Sequence, residues 1–197
     1  MSFKYAIALT GGIATGKSSA TIILSLYGFR FIDADKIAHQ ILDEQHMTIA
    51  EMFGSDLVLD NKVDRKSLGG IVFADSTKRK ILESFLHPLI YNEIERQAHM
   101  EEQFQKPYII DIPLFFEGGR YPIEKSLVVY TTREQQLQRL MQRDKYNQTE
   151  ASNRIDSQMS IEEKRKKATY IIDNSGGLKQ LQHECERAKE AILKDFL

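Results

Sequence analysis

Short apolar runs alternate along the chain with longer stretches in which apolar positions recur at helical spacing. Five of these runs are predicted to be buried β-strands, and they cover residues 5–10, 29–32, 108–111, 127–130 and 170–172. Because helical patterns separate the strands, the sequence predicts an α/β fold built on a five-stranded parallel sheet, with right-handed crossovers and helices on both faces. In such a fold, ligands gather at the carboxyl ends of the strands.

Two intervals between the predicted strands are too long to be simple crossover connections. The first, residues 36–107, contains several helical patterns, among them 77–86 and 88–104. Glycine and proline are expected to interrupt these helices, at Gly54, at Gly69 and Gly70, and at the pair His87 and Pro88. We therefore expect a helical subdomain inserted into the core.

The second interval, residues 133–168, is locally positive, with nine basic residues against six acidic ones. Its run of four cations at 164–167 is typical of a solvated helix face. We expect this interval to form a helical lid. The core then consists of residues 1–35, 108–132 and 169–197.

Composition indicates an ordinary globular protein. The 197 residues are enough to bury one sizeable core, and 27 basic against 28 acidic side chains leave a formal net charge of -1. We therefore expect neither nucleic acid nor a membrane as a partner, and no obligate protein partner is evident. A lone cysteine, Cys185, forms neither an internal disulfide nor a cysteine-rich zinc site, so a reducing, cytoplasmic setting is expected. No leader or membrane-spanning segment is expected either.

The segment from Gly11 to Ser18, here called the phosphate loop, matches G-x-x-x-x-G-K-S/T between a predicted strand and a predicted helix. Glycines let its backbone N–H groups point at a phosphate, and the helix adds its positive dipole end. Lys17 would reach the β- and γ-phosphates, and Ser18 would ligate Mg²⁺. The alternative is a plain glycine-rich turn with an exposed lysine. The motif predicts nucleotide binding, which phosphotransferases, GTPases and motor ATPases share.

A second pattern bears on which nucleotide is bound. Residues 61–64 fit the N-K-x-D signature with which GTPases read guanine. They lie in the first long interval rather than after a late core strand, and the D-x-x-G sequence at 173–176 follows them instead of preceding them. We interpret 61–64 as a polar turn and expect ATP, with a nucleotide-dependent switch as the alternative.

Three carboxylates close predicted strands, Asp33 and Asp35 on the second strand and Asp111 on the third. In extended backbone alternate residues share a face, so the first two would act together unless the chain turns there. One would accept or orient the proton of an acceptor hydroxyl, and the other would hold Mg²⁺. Asp111 is placed like a Walker B aspartate. It is an alternative candidate both for the proton acceptor and for the Mg²⁺ ligand. The simpler interpretation of Asp33 or Asp35 is a cap for a helix that begins near Lys36.

Two further features are typical of an acceptor site and a lid. Residues 112–117 are mostly apolar with a closing acid, as a pocket for a non-nucleotide acceptor would be, although ordinary core is the alternative for their aromatic rings. Arg139 and Arg143 are four residues apart on a predicted helix and are expected to converge on a transferring phosphoryl group. Arg143 could instead pair with Asp144 on a solvated face.

Six motifs, in order along the chain, resemble those of the dephospho-CoA kinase family. They are T-G-G-I-x-x-G-K-S at 10–18, I-D-A-D at 32–35, L-H-P at 86–88, D-x-P-L-x-x-E at 111–117, Q-L-x-R-x-x-x-R-D at 136–144 and I-D-N-x-G at 172–176. Only the first motif is specific by itself, but a chance match to all six in this order is not expected. The resemblance extends over nearly the whole chain.

The resemblance implies transfer of the ATP γ-phosphate to the ribose 3′-hydroxyl of dephospho-CoA, the last step of coenzyme A biosynthesis, with Mg²⁺ as cofactor. It implies a P-loop NTPase core with a helical acceptor-binding insertion for CoA at 36–107 and a lid at 133–168. Asp35 matches the proposed base, and Arg143 matches the lid arginine. Asp33 matches the carboxylate that acts with this base, and together with Ser18 it would ligate Mg²⁺.

The resemblance also assigns the substrate contacts. The positions that match contacts with ATP are Gly11, Gly12, Ile13, Ala14, Thr15, Gly16, Lys17, Ser18, Ser19, Arg139, Arg143, Asn174 and Gly176, the last two near the adenine. The positions that match the acceptor side are Asp35, His87, Asp111, Pro113, Leu114 and Glu117.

Two pairs of residues depart from the family pattern. Ala14 and Thr15 stand where the family commonly has Gly and Ser, and Phe115 and Phe116 replace a more aliphatic pair. Because the loop works mainly through backbone N–H groups, we expect ATP binding to survive the first change. The nearest alternative function is a kinase of a nucleoside monophosphate or of shikimate, which would share the core and lid but not the L-H-P and D-x-P-L motifs.

Overall fold

The computed structural model describes residues 3–196. The strands are β1 (Ala6–Gly11), β2 (Phe31–Asp33), β3 (Val58–Leu59), β4 (Lys62–Val63), β5 (Tyr108–Asp111), β6 (Lys125–Tyr130) and β7 (Tyr170–Asp173). The helices are α1 (Lys17–Leu26), α2 (Ala34–Glu44), α3 (His46–Phe53), α4 (Arg65–Ala74), α5 (Ser76–Glu102), α6 (Phe115–Gly118), α7 (Arg133–Asp144), α8 (Gln148–Asp156), α9 (Ile161–Lys167) and α10 (Leu178–Asp195).

Five of the strands form one parallel sheet in the order β2-β5-β1-β6-β7. β1 lies at its centre, between β5 and β6, and all six residues of β1 are buried. Such continuous burial is expected of a strand covered on both faces, and it explains the apolar run that predicted β1. The predicted α/β fold with a five-stranded parallel sheet is confirmed.

The main core lies between the sheet and the helices α1 and α10. Along α10, Leu181, Cys185, Ala188 and Ile192 recur at spacings of three and four residues, and all four are buried. Burial raises the pKa of the Cys185 thiol to about 11, so this side chain stays protonated at neutral pH. The same cluster includes Ile23 and Leu24 of α1 and Ile7, Leu9, Ile109, Leu127, Val129 and Ile172 of the strands.

The chain divides into two compact units. The first comprises the described residues up to Ile32 together with those from Ala98 onward, and it contains the main core. The second, Asp33–Gln97, contains α2, α3, α4, the short antiparallel β3–β4 pair and most of α5. Within residues 3–196, no helix combines the length and the apolar content that crossing a membrane requires.

Of the N-K-x-D tetrapeptide, Asn61 lies in the turn between β3 and β4, Lys62 and Val63 form β4, and Asp64 precedes α4. Asp60 and Asn61 adopt left-handed backbone conformations, with φ of 50° and 59°, and connect β3 to β4. Asp64 then caps α4 by accepting hydrogen bonds from the N–H groups of Lys66 and Ser67. The interpretation of 61–64 as a polar turn is right for Asn61 but not for Lys62 and Val63, which pair with β3, and Val63 is buried.

Two expected helix breaks are wrong. Gly69 and Gly70 lie inside α4, where the flanking Leu68 and Val72 are buried, so packing outweighs the low helix propensity of glycine. Pro88 lies inside the continuous helix α5. Proline there deprives the Ser84 carbonyl of its helical partner, but Ser84 and Pro88 are both exposed, and water can satisfy that carbonyl.

Candidate active site

The phosphate loop joins the buried centre of the sheet to a helix, as the sequence predicts. β1 ends at Gly11 and α1 begins at Lys17, with Gly16 as its N-cap residue. The backbone takes the left-handed conformation at Ala14, with φ of 60°, and at Gly16, with φ of 87°. α1 therefore directs its N-terminus and its positive dipole end at the loop, as a phosphate site requires.

The two internal glycines of this loop are required by close packing, and Gly16 is required by its left-handed conformation as well. A Cβ atom on Gly12 would lie 2.4 Å from Nε2 of Gln136, and one on Gly16 would lie 2.1 Å from Nδ2 of Asn174. Both amide groups are buried, so neither has room to withdraw. The glycines let two side chains from the second half of the chain approach the loop backbone directly.

Those side chains donate hydrogen bonds to the loop carbonyls. Gln136 Nε2 donates to the carbonyl of Ile13 at 2.7 Å, and Asn174 Nδ2 donates to the carbonyl of Thr15 at 2.7 Å. Arg139 donates to the carbonyls of Thr15 and Asn174, at 3.4 and 2.9 Å. Arg139 and Asn174, both predicted to be ATP contacts, thus lie against the phosphate loop.

Sequence reasoning missed Gln136 as a site residue. It precedes Arg139 by three positions on α7, and residues at that spacing share a helix face. Gln158, between α8 and α9, was missed as well, and its Oε1 accepts a hydrogen bond from the N–H of Ile13 at 3.0 Å. Nothing in the local pattern around Gln158 distinguishes it from other polar loop residues.

Lys17 pairs with the aspartate of the neighbouring strand. Its Nζ lies 2.5 Å from both carboxylate oxygens of Asp111, the last residue of β5. The β1–β5 register, in which Leu9 is opposite Asp111, puts this carboxylate beside the loop. The lysine expected on the phosphates and the Walker B-like aspartate are therefore brought together.

Lys164 is the main error of the sequence-based interpretation. A solvated face was expected for 164–167, and the other three cations are exposed, but the side chain of Lys164 is fully buried. Its Nζ donates to the carbonyls of Gly11 and Pro113 at 3.0 and 3.2 Å, and lies 2.9 Å from Oε1 of Glu117. The signal was its spacing of three residues from the buried Ile161, which puts both on the inward face of α9.

Arg143 does not converge with Arg139 on one target. It donates two hydrogen bonds to the neighbouring Asp144, at 2.8 and 2.9 Å, and its side chain is 59% exposed. These bonds hold the pKa of the Asp144 carboxyl below its usual range. In this structure Arg139 points at loop carbonyls, whereas Arg143 lies one turn further on at the exposed end of α7, and their convergence on a phosphoryl group stays a prediction.

Asp33 and Asp35 do not share a face of an extended strand, because the chain turns between them. α2 begins at Ala34, and Asp33 is its cap, accepting a hydrogen bond from the N–H of Lys36 at 2.9 Å. Lys36 Nζ also lies 3.2 Å from Asp33 Oδ2. Asp35 is exposed in the first turn of α2, where the helix dipole favours a carboxylate.

The remaining predicted residues lie in four places. Ser18 and Ser19 are exposed in the first turn of α1, and Gly176 is exposed after β7. Pro113 and Leu114 follow Asp111, with Leu114 48% exposed. His87 is half-buried on α5, within the second unit.

A phosphate loop after the central strand of a parallel sheet, with a carboxylate at the end of the neighbouring strand, defines the P-loop kinase class of fold and site. A family model described as dephospho-CoA kinase matches residues 5–180. The chain belongs to the dephospho-CoA kinase family, and the resemblance inferred from the six motifs is confirmed.

Similar proteins match along almost their whole length. A dephospho-CoA kinase from Sulfurimonas denitrificans is 52% identical over 197 residues, which is 100% of this chain and 98% of that protein. One from Helicobacter pylori is 48% identical, over 98% of this chain and 100% of that protein. The solved dephospho-CoA kinase from Campylobacter jejuni is 40% identical, with a TM-score of 0.72 over 96% of this chain and 98% of that one.

Replacing Ala14 by glycine is expected to stabilise the protein. The left-handed conformation strains any residue with a Cβ by roughly 1 kcal/mol, and glycine removes that strain. In a protein of this size that corresponds to a rise in Tm of about 2–4 °C, measured by thermal denaturation. The matched control is Ala38→Gly in the regular helix α2, which should lower Tm instead. A lower Tm for Ala14→Gly would contradict the strain.

Asn174→Ala is expected to loosen the phosphate loop. It leaves the buried Thr15 carbonyl with only the longer bond from Arg139, at a cost of about 1–3 kcal/mol in the free energy of unfolding. Part of this cost should also weaken ATP binding, and we expect Kd to rise roughly fivefold. Urea denaturation and calorimetric titration check the two effects. Asn92→Ala, at an exposed position of α5, is the control, and an unchanged ATP Kd for Asn174→Ala would show that the loop keeps its shape without this bond.

Proposed function

We propose that this protein transfers the γ-phosphoryl group of ATP to the ribose 3′-hydroxyl of dephospho-CoA, the last step of coenzyme A biosynthesis. Membership of the dephospho-CoA kinase family, established over residues 5–180, is the observation that carries the proposal. The site agrees with it, since four of the six family motifs contribute side chains or carbonyl groups to the neighbourhood of the phosphate loop.

Residues 11–19 are proposed to bind the triphosphate. When ATP binds, the ammonium group of Lys17 leaves the Asp111 carboxylate and contacts the β- and γ-phosphates. The positive end of the α1 dipole also attracts the phosphates. Asp111, at the carboxyl end of β5, is proposed to face the acceptor in the ATP-bound state. Asn174 and Gly176 are proposed to lie near the adenine.

Asp35 is proposed as the base that accepts or orients the proton of the 3′-hydroxyl. It is exposed, and it immediately follows a strand end, the position at which ligands of parallel sheets gather. Asp33 caps α2 through Oδ1 and pairs with Lys36 through Oδ2, and a carboxylate held in place in this way suits a metal ligand better than a mobile base.

The residues present fit Mg²⁺ as the cofactor. Within residues 3–196 no group of three or more His, Cys, Asp or Glu side chains could hold a metal ion. This agrees with Mg²⁺, which takes most of its ligands from phosphates and water and only one or two from the protein. Ser18 and Asp33 are the proposed protein ligands. When bound, the ion neutralises charge on the transferring phosphoryl group.

Arg143 is proposed to be the lid arginine that stabilises the transition state. Its partner Asp144 is the adjacent residue, and the pair is largely solvated, so the guanidinium can leave it at small cost. Arg139, by contrast, donates hydrogen bonds to two carbonyl groups and helps to fix the shape of the phosphate loop. The division into a lid at 133–168 and a CoA-binding insertion at 36–107 belongs to this proposal.

The acceptor is proposed to contact His87, Pro113 and Leu114, besides Asp35, Asp111 and Glu117. The exposed side chain of Leu114 and the adjoining phenylalanines suit a largely apolar contact. A cytoplasmic location is proposed as well, and the free, buried thiol of Cys185 is compatible with a reducing compartment.

Turnover is expected only with dephospho-CoA as acceptor. ADP release from ATP should be measured with dephospho-CoA, with nucleoside monophosphates, with shikimate and with no acceptor. If another acceptor but not dephospho-CoA stimulates ADP release, the proposal is wrong. A preference for GTP with slow, acceptor-independent hydrolysis would point to the switch alternative instead.

Asp35→Asn is expected to lower kcat by about 10²–10⁴-fold, because the amide cannot accept the proton of the hydroxyl. ATP binding should stay within about twofold, since the substitution leaves the phosphate loop intact. Steady-state kinetics and ATP titration measure the two effects. The matched control is Asp60→Asn in the exposed turn before β4, where asparagine tolerates the left-handed backbone. An unchanged kcat for Asp35→Asn would move the base role to Asp33 or Asp111.

A further inference from the structure

We propose that Lys164 is a positioning residue for phosphoryl transfer, which holds Asp111 in place against the phosphate loop by joining the diverging ends of β1 and β5. This inference rests on the proposed kinase function for its consequence in the reaction. The structural part of it rests on contacts within the first unit alone.

The ladder between β1 and β5 stops just where the site begins. Its last register pair is Leu9 with Asp111, followed by one more hydrogen bond from the Ile112 N–H to the Leu9 carbonyl at 2.9 Å. β1 continues to Gly11 beside β6, whereas the chain after Asp111 turns away into α6. Another group must connect the two segments beyond the last bond.

The ammonium group of Lys164 makes this connection. It donates to the Gly11 carbonyl on one segment and to the Pro113 carbonyl on the other, and it pairs with Glu117. A lysine ammonium has three donors, and here it meets three acceptors. We call these contacts of Lys164 with Gly11, Pro113 and Glu117 the junction. Thr10 reinforces the junction, since its buried hydroxyl donates to the same Pro113 carbonyl at 2.8 Å.

Burial makes the junction stiff. Lys164 is the one charged residue in the buried class within residues 3–196, and its side chain has no exposed surface. A cation without access to water has no alternative partners, so its acceptors are held at fixed distances. Loss of the ammonium group would take a donor from the buried Gly11 carbonyl, leave the Pro113 carbonyl with Thr10 alone, and leave Glu117 without this cation.

The junction controls the geometry of the reacting groups. Gly11 is the first residue of the phosphate loop, and Pro113 is two residues beyond Asp111, so a shift between them moves the Asp111 carboxylate relative to Lys17. Displacements of about 1 Å cost on the order of a hundredfold in rate when catalytic groups must be aligned. ATP is expected to bind to backbone N–H groups of the loop, whose shape Gln136, Arg139 and Asn174 hold through the carbonyls of Ile13 and Thr15 independently of Lys164.

Lys164→Met is therefore expected to lower kcat at least about tenfold, with the KM for ATP changed less than about threefold. The matched control is Lys166→Met, an exposed lysine two positions away on α9, which should keep wild-type kcat. A control for stability is needed, because Lys164→Met also removes the cation that pairs with the partly exposed carboxylate of Glu117.

The double variant Lys164→Met with Glu117→Gln separates stability from positioning. The glutamine keeps an acceptor for the Met159 N–H, which bonds Glu117 Oε1 at 3.0 Å, but removes the uncompensated charge. Relative to Glu117→Gln alone, the double variant should recover most of the Tm and still lose about tenfold in kcat. If Lys164→Met does not fold, kcat is compared between Glu117→Gln and the double variant instead.

Recovery of kcat together with Tm in the double variant would overturn the proposal and leave Lys164 with a structural role only. Hydrogen exchange of peptides covering 9–17 and 110–118 provides a readout that needs no turnover. Exchange should rise in both segments together in Lys164→Met, and a rise in only one would also contradict the junction. A wild-type protein inactive on dephospho-CoA would instead refute the proposed function and leave the exchange result valid.

Discussion

The structure depends on one constraint at the phosphate loop. A backbone folded to direct N–H groups at a phosphate cannot pair its own carbonyls in a strand or a helix, and buried carbonyls need donors. Gln136, Arg139, Lys164 and Asn174 supply those donors from the second half of the chain. The loop is therefore shaped by tertiary contacts, and the four residues act as its scaffold.

The sheet order explains why these donors come from so far along the chain. β6 lies beside β1 and β7 lies beside β6, so the segments that follow both strands return to the edge where the loop begins. Asn174 follows β7 directly, and α7 starts soon after β6. The motifs Q-L-x-R-x-x-x-R-D and I-D-N-x-G thus have a structural role in this protein, because each contains a side chain that donates a hydrogen bond to a carbonyl of the phosphate loop.

Several features could be predicted from the sequence because they depend on local patterns. The strands appear as short apolar runs, and the phosphate loop as a glycine pattern between a strand and a helix. The interpretation was wrong where local and tertiary effects compete. Gly69, Gly70 and Pro88 have low helix propensity, but packing or exposure of the freed carbonyl lets the helices continue. Lys164 belongs to a basic run, but the inward face of α9 buries it.

By itself, the sequence determined the class of fold and the position of the phosphate loop, because apolar periodicity and glycine spacing are local properties of the chain. It indicated the family through the resemblance of six ordered motifs. Only the tertiary structure decided which charged side chains meet. It paired Lys17 with Asp111, left Arg143 with Asp144 and buried Lys164 between two strand ends. Lys17 and Asp111 are 94 residues apart and Lys164 and Gly11 are 153 apart, and no local pattern encodes which of such distant segments meet.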